Sequence, residues 1–177
     1  METTASRELL ADLFEEYSQW YSSLAGEYGI LPRSISGVGG DGRQFIYLLD
    51  DLEMHHMVRN KYIRFVLDSM NSLAYAYGSL DLRGDSEEAE LLEVLDLVAA
   101  NADHYISGSW RVVRGGDGRV SELLHLGTRE GDDTRKHPGS WFLAGSIRFS
   151  DTEKARYGAI WEEAMAGVIF KERASEE

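Results

Sequence analysis

The spacing of apolar positions along the chain switches several times between helical and extended. From Ser6 onward, Leu9, Leu10, Leu13, Phe14, Tyr17, Trp20, Tyr21 and Leu24 recur three and four positions apart, with Glu8, Asp12, Glu15, Glu16 and Gln19 between them. That periodicity predicts an amphipathic helix ending near Gly26. Residues 26–43 carry six glycines and Pro32 and read as an irregular connection. Gln44 to Leu49 is a short apolar run that suits a buried strand. Leu52, Met54, Val58, Tyr62, Phe65, Val66 and Met70 fit a second helix from Asp51 to about Met70 better than they fit alternation. Leu73 to Leu82 alternates large and small residues up to Gly84-Asp85 and reads as a strand.

Asp85 followed by Glu88 has the form of a capping box, and Leu91, Leu92, Leu95, Val98, Ala99 and Ala102 then supply an apolar stripe, so a third helix is expected there. His104 to Arg114 and Arg119 to Thr128 flank Gly115-Gly116-Asp117-Gly118, whose glycines allow the positive φ of a tight turn; this predicts a hairpin. Ser140 to Phe149 is a further strand candidate, and Ser150-Asp151-Thr152 begins a last helix bearing Ala155, Tyr157, Ile160, Trp161, Ala164, Met165 and Val168. Residues 170–177 are expected to fray. The whole, residues 1–177, reads as one α+β domain: an antiparallel sheet of about four strands with three to four helices packed on one side of it.

Composition supports a folded chain. Apolar residues make up 43% and aromatic residues 11%, enough packing material for one core in a chain of 177 residues. The absence of cysteine excludes disulfides, thiol catalysis and sulfur-ligated zinc. The N-terminus has neither a basic nor an apolar leader segment and no run approaches a membrane span, so the expected location is the cytoplasm. The formal charge of −13 opposes direct contact with nucleic acid and with anionic lipid. The charge is uneven: residues 1–110 hold 7 Lys and Arg against 19 Asp and Glu, whereas residues 111–177 hold 11 against 12.

Four groups of residues invite a chemical reading. Gly37-Val38-Gly39-Gly40-Asp41-Gly42 has the letters of a dinucleotide fingerprint, but Pro32 precedes it and a strand-like run follows, so it reads as a plain loop. Asp51 and His55 would share a helix face at i,i+4 and could ligate a metal with a third histidine, His104, His125 or His137. Arg59, Lys61 and Arg64, beside Tyr62 and Phe65, could meet phosphates but more simply balance local carboxylates. Between Gly84 and Trp110 stand seven carboxylates and no Lys or Arg. On the expected helix Glu87, Glu90, Glu93 and Asp96 would form an acidic line opposite the leucines.

The leading expectation is therefore a small acidic protein that binds and inhibits a protein partner with a basic, nucleic-acid-handling surface, with Glu87, Glu90, Glu93 and Asp96 as a mimic of a phosphate backbone. Immunity proteins, antitoxins and phage-encoded inhibitors share this kind of composition, a likeness that transfers no residue roles. No cofactor is expected. The alternatives are a metal-dependent hydrolase built on Asp51 and His55, and a homo-oligomer, such as a homodimer, joined through the Tyr17, Trp20 and Tyr21 face of the first helix.

Overall fold

The computed structural model describes residues 2–50, 52–84 and 91–172, with side chains from residue 6 onward. Chain order is α1 (Glu2–Ser23), β1 (Ser34–Gly39), β2 (Arg43–Leu48), α2 (His56–Ser69), β3 (Ser72–Arg83), β4 (Leu92–Ala100), β5 (Tyr105–Arg114), β6 (Val120–Gly131), α3 (Asp151–Ala164) and β7 (Ile169–Glu172). The seven strands form one sheet in the order β6-β5-β4-β3-β1-β2-β7, antiparallel throughout. This overturns the expected sheet of about four strands, while the α+β class stands.

The helices also divide between the two faces instead of sharing one. On the first face, Leu10, Leu13, Tyr17 and Tyr21 of α1 pack with Ala74, Ala76, Leu95, Leu97 and Ala99 of the central strands. Their spacing of three and four places them on one stripe of the helix, as the sequence predicted. A π-helical turn, Leu24–Tyr28, prolongs α1 and stops at Gly29, whose φ of 67° suits a residue without Cβ. On the second face, Tyr62, Ile63, Val66 and Leu67 of α2 and Tyr157 and Trp161 of α3 pack with Ile35, Phe45, Tyr47, Tyr75 and Tyr77.

Three strands depart from the sequence reading, each for a physical reason. β4 replaces the expected third helix. As a central strand it is covered on both faces, so Val94, Val98 and Ala100 are buried as well as Leu95, Leu97 and Ala99, and no alternation survives to distinguish strand from helix. β1 lies inside the glycine-rich stretch. Its buried Ser34 and Ser36 are satisfied by side chains, Ser34 by Tyr17 and Tyr21 and Ser36 by Gln44, and Gly37 leaves room for the Phe45 ring, so its pattern is not apolar. β7 pairs with the edge of β2, Ile169 opposite Ile46 and Phe170 opposite Phe45.

Conversely, the strand expected over residues 140–149 does not form. Trp141 and Phe142 instead turn inward as a plug on the second face, where Phe142 is buried between Tyr75 and Tyr77. The β5–β6 hairpin and its turn form as predicted, with Gly118 at φ 77°. α3 begins with a full capping box between Ser150 and Glu153. The Glu153 carboxylate also pairs with Lys61 on α2, and these bonds hold its pKa down to about 2. No helix among the described residues is long and apolar enough to cross a membrane.

Candidate functional site

Strand register lays out the second face in rows. Tyr77, Val98, Ser107 and Arg129 stand side by side across β3, β4, β5 and β6; two residues further along, Ser79, Asp96, Ser109 and Gly127 do the same. α2, α3 and the segment 132–149 cover the half of this face that carries Tyr75, Tyr77 and Tyr105, reaching as far as β5. The other half forms the floor of a cleft of about 750 Å³. One wall is Arg33, which precedes β1, with His56, Arg59 and Asn60 at the start of α2; the other is the segment from Lys136 to Phe142.

The cleft is cationic although the protein is acidic. Among the described residues, Arg33, Arg59, Arg83, Arg129 and Lys136 line it against Asp81 and Asp96. Asp96 is committed: it accepts hydrogen bonds from Arg83 and from Ser109 Oγ. Lys136 Nζ lies 3.0 Å from Asp133. Arg33 and Arg59 both act on Tyr77. Burial pushes the Tyr77 hydroxyl pKa up, while the two guanidinium charges and a hydrogen bond from Arg33 pull against that shift. The Nε atoms of Arg33 and Arg59 are buried without a hydrogen-bond acceptor among the described residues. Leaving such a donor unmet costs about 1–3 kcal/mol; neither atom exposes surface to the cleft, so an entering acceptor reaches it only if the arginine side chain turns.

The second wall is held from beneath. Arg64 is 6% exposed and donates from its NH1 to the Phe142 and Ala144 carbonyls and from its NH2 to the Gly145 carbonyl, the last at 2.7 Å. Its Nε bonds Asp68 at 3.0 Å. Tyr75 Oη donates to the Gly139 carbonyl at 2.7 Å and receives the Phe142 N–H at 3.2 Å. Aromatic rings border the cleft on this side: Tyr105 lies against the His137 imidazole at 4.8 Å and 32°, and Trp141 against Phe142 at 5.0 Å.

The sequence-predicted site residues fare differently. Glu87, Glu90 and Asp51 lie outside the described residues. Glu93 and Asp96 are on β4, not on a helix, and an odd spacing in a strand sends them to opposite faces. Glu93 makes a bidentate pair with Arg114, at 2.7 and 2.6 Å, which lowers its pKa. These two carboxylates therefore do not form a line of free charge. α2 begins only at His56, so His55 precedes the helix on which its pairing with Asp51 rested; the His55 and His56 rings lie 4.2 Å apart. The other histidines are dispersed, His104 on Asp132, His125 against Trp110 and His137 in the cleft wall. Among the described residues no three His, Asp or Glu groups converge as metal ligands.

The basic cluster of the sequence is divided as well: Arg59 faces the cleft, Lys61 pairs with Glu153, and Arg64 is the buried support of the wall. Of the expected oligomer face, Tyr17 and Tyr21 are buried under the sheet and Trp20 is partly buried beside them. Comparison with protein-family models, curated proteins and solved structures finds no match. Residue roles therefore rest on geometry alone.

Sequence reasoning missed Arg33, Arg83, Arg129, Lys136 and the Tyr105, His137 and Trp141 rings. One signal was present: Tyr75, Tyr77, Ser79, Asp81 and Arg83 alternate along β3, and the last four of these all line the cleft.

Proposed function

We propose that this protein is a receptor for a small anionic ligand, bound in the arginine-lined cleft on the open half of the sheet. The observation that carries the reading is the lining of a cavity of about 750 Å³ by Arg33, Arg59, Arg83, Arg129 and Lys136, against Asp81 and Asp96 among the described residues. A volume of that size suits a ligand of metabolite dimensions. Guanidinium groups bind oxyanions through charge-assisted, often paired hydrogen bonds. A recessed cationic surface on a protein of charge −13 also gives direction to the field, attracting anions to one place and repelling them elsewhere. Binding is favoured over turnover because Asp96, the best-placed carboxylate, is already held by Arg83 and Ser109 and is not free to serve as a base.

Titration calorimetry with inorganic pyrophosphate tests the reading. Saturable one-to-one binding that weakens with salt is expected, and Arg59→Gln should reduce affinity about tenfold or more, since a hydrogen bond to a charged group contributes roughly 1.5–3 kcal/mol. Lys154→Gln, on α3 away from the cleft, should leave it unchanged. Failure of pyrophosphate to bind even at low ionic strength would remove the proposal.

A second reading, docking of an acidic face on a basic protein partner in the manner of an inhibitor, keeps one supporting observation. Glu8, Asp12 and Glu15 are exposed on α1, and no Lys or Arg occurs from Glu8 to Pro32. Such docking would be steered by long-range attraction and weakened by salt. Replacing all three carboxylates by lysine should then abolish capture of the partner from host lysate while pyrophosphate binding persists; capture that survives the reversal would count against it.

A further inference from the structure

We propose that the ligand of the cleft is a nucleoside phosphate, with its phosphates on Arg33 and Arg59 and its base against the aromatic wall. This rests on the anion-receptor reading and extends it to a ligand class. Cations alone would suit any oxyanion; the cleft, however, is not uniformly cationic. Its two walls differ in chemistry: guanidinium donors flank Tyr77 on one side, and the Tyr105–His137 pair and Trp141 border the other.

Strand register gives the separation. Tyr77 is on β3 and Tyr105 on β5, with β4 between them. At about 4.8 Å per strand the backbones of Tyr77 and Tyr105 are on the order of 10 Å apart, and the segment that carries the aromatic rings comes down on Tyr77 and Val98 at Gly139, so the guanidinium and aromatic groups are neighbours along one continuous lining within reach of a single ligand. Beyond Tyr77 along β3 the floor is polar and mixed, with Ser79 and, across β4 from it, Ser109 as hydroxyls and Asp81 two residues further on as a carboxylate acceptor. A carboxylate in an anion site repels a bare phosphate but accepts hydrogen bonds from a ribose diol or an exocyclic amine, the neutral donors that link or edge the two ends of a nucleotide. Stacking of a base on an aromatic wall contributes about tenfold in affinity or more and tolerates different bases, because every base presents a π face.

The test compares ligands on the unaltered protein, so no variant has to fold for it to be decisive. Calorimetry is run with ADP, AMP, adenosine, CDP and inorganic pyrophosphate under identical salt. ADP and CDP are expected to bind about tenfold or more tightly than pyrophosphate, AMP less tightly than ADP, and adenosine only weakly. Trp141→Leu should lower the affinity for ADP several-fold while leaving that for pyrophosphate unchanged, and thermal unfolding confirms that the variant is folded. Equal affinities for pyrophosphate and ADP would overturn the nucleotide assignment and leave the anion receptor standing. Absence of pyrophosphate binding would overturn the anion receptor and this assignment with it.

Discussion

Replacing Arg64 by methionine is expected to lower the unfolding free energy by about 3 kcal/mol, from two or three backbone acceptors each worth roughly 1–3 kcal/mol when buried and unmet. The side chain is almost wholly enclosed, and its guanidinium ends on the carbonyls of Phe142, Ala144 and Gly145. Methionine fills comparable space but donates none of these bonds. Asp68, the ion-pair partner, is 41% exposed and recovers its hydration, so the loss falls on the carbonyls and on the plug they belong to. The Phe142 ring wedged between Tyr75 and Tyr77 should loosen with them. Arg64→Lys should recover little, because one ammonium cannot reach three carbonyls from a single geometry. Urea unfolding monitored by tryptophan fluorescence reads the effect as a lower midpoint at nearly constant slope. A change below about 0.5 kcal/mol would show that Arg64 is a passive neighbour of the loop.

The same residue shows how far the sequence could be read. Arg64 sits in a basic cluster with Arg59 and Lys61, and composition alone makes the three equivalent. The fold gives them unlike tasks because they leave α2 in different directions, one toward the cleft, one toward α3 and one beneath the wall. α1, α2, the β5–β6 hairpin and α3 were legible because each buries one face or ends on a turn or cap with a definite residue requirement. β4 was not, because a strand covered on both sides loses its alternation, and its leucines also fit a helical stripe. The acidic line fell with it, since Glu93 and Asp96 occupy opposite faces once the element is extended. β1 was hidden by buried serines, Ser34 satisfied by tyrosine hydroxyls from α1 and Ser36 by the Gln44 amide. The cleft was least legible of all: Arg33, Arg59, Arg129 and Lys136 come from four separate elements or loops, and only strand order and the return of segment 132–149 across the sheet bring them together.

Gly78→Ala is expected to destabilise the protein by about 3 kcal/mol, the combined scale of overpacking and of lost buried hydrogen bonds, although the same change in an open strand stabilises by roughly 0.5–1 kcal/mol. A Cβ at this position would lie 2.2 Å from the Tyr21 hydroxyl, 2.5 Å from Cζ and 2.6 Å from Cε2. Tyr21 cannot step aside cheaply: it is fully buried, and its hydroxyl bonds the Pro32 carbonyl and Ser34 Oγ. The clash must therefore be relieved by moving α1 away from β3 or by breaking those bonds. A double-mutant cycle separates this from any intrinsic effect of alanine. In a Tyr21→Leu background, where the distal ring atoms are gone, Gly78→Ala should cost much less, giving a coupling on the order of 1–3 kcal/mol. Because strand alternation directs this Cβ to the α1 face while Tyr77 and Ser79 on either side face the cleft, the molecules that remain folded should bind pyrophosphate with nearly unchanged affinity. Stability and binding would then prove separable across the thickness of one sheet. Additive costs in the cycle, or an affinity that falls with stability, would mean instead that α1 and the cleft are mechanically coupled through β3.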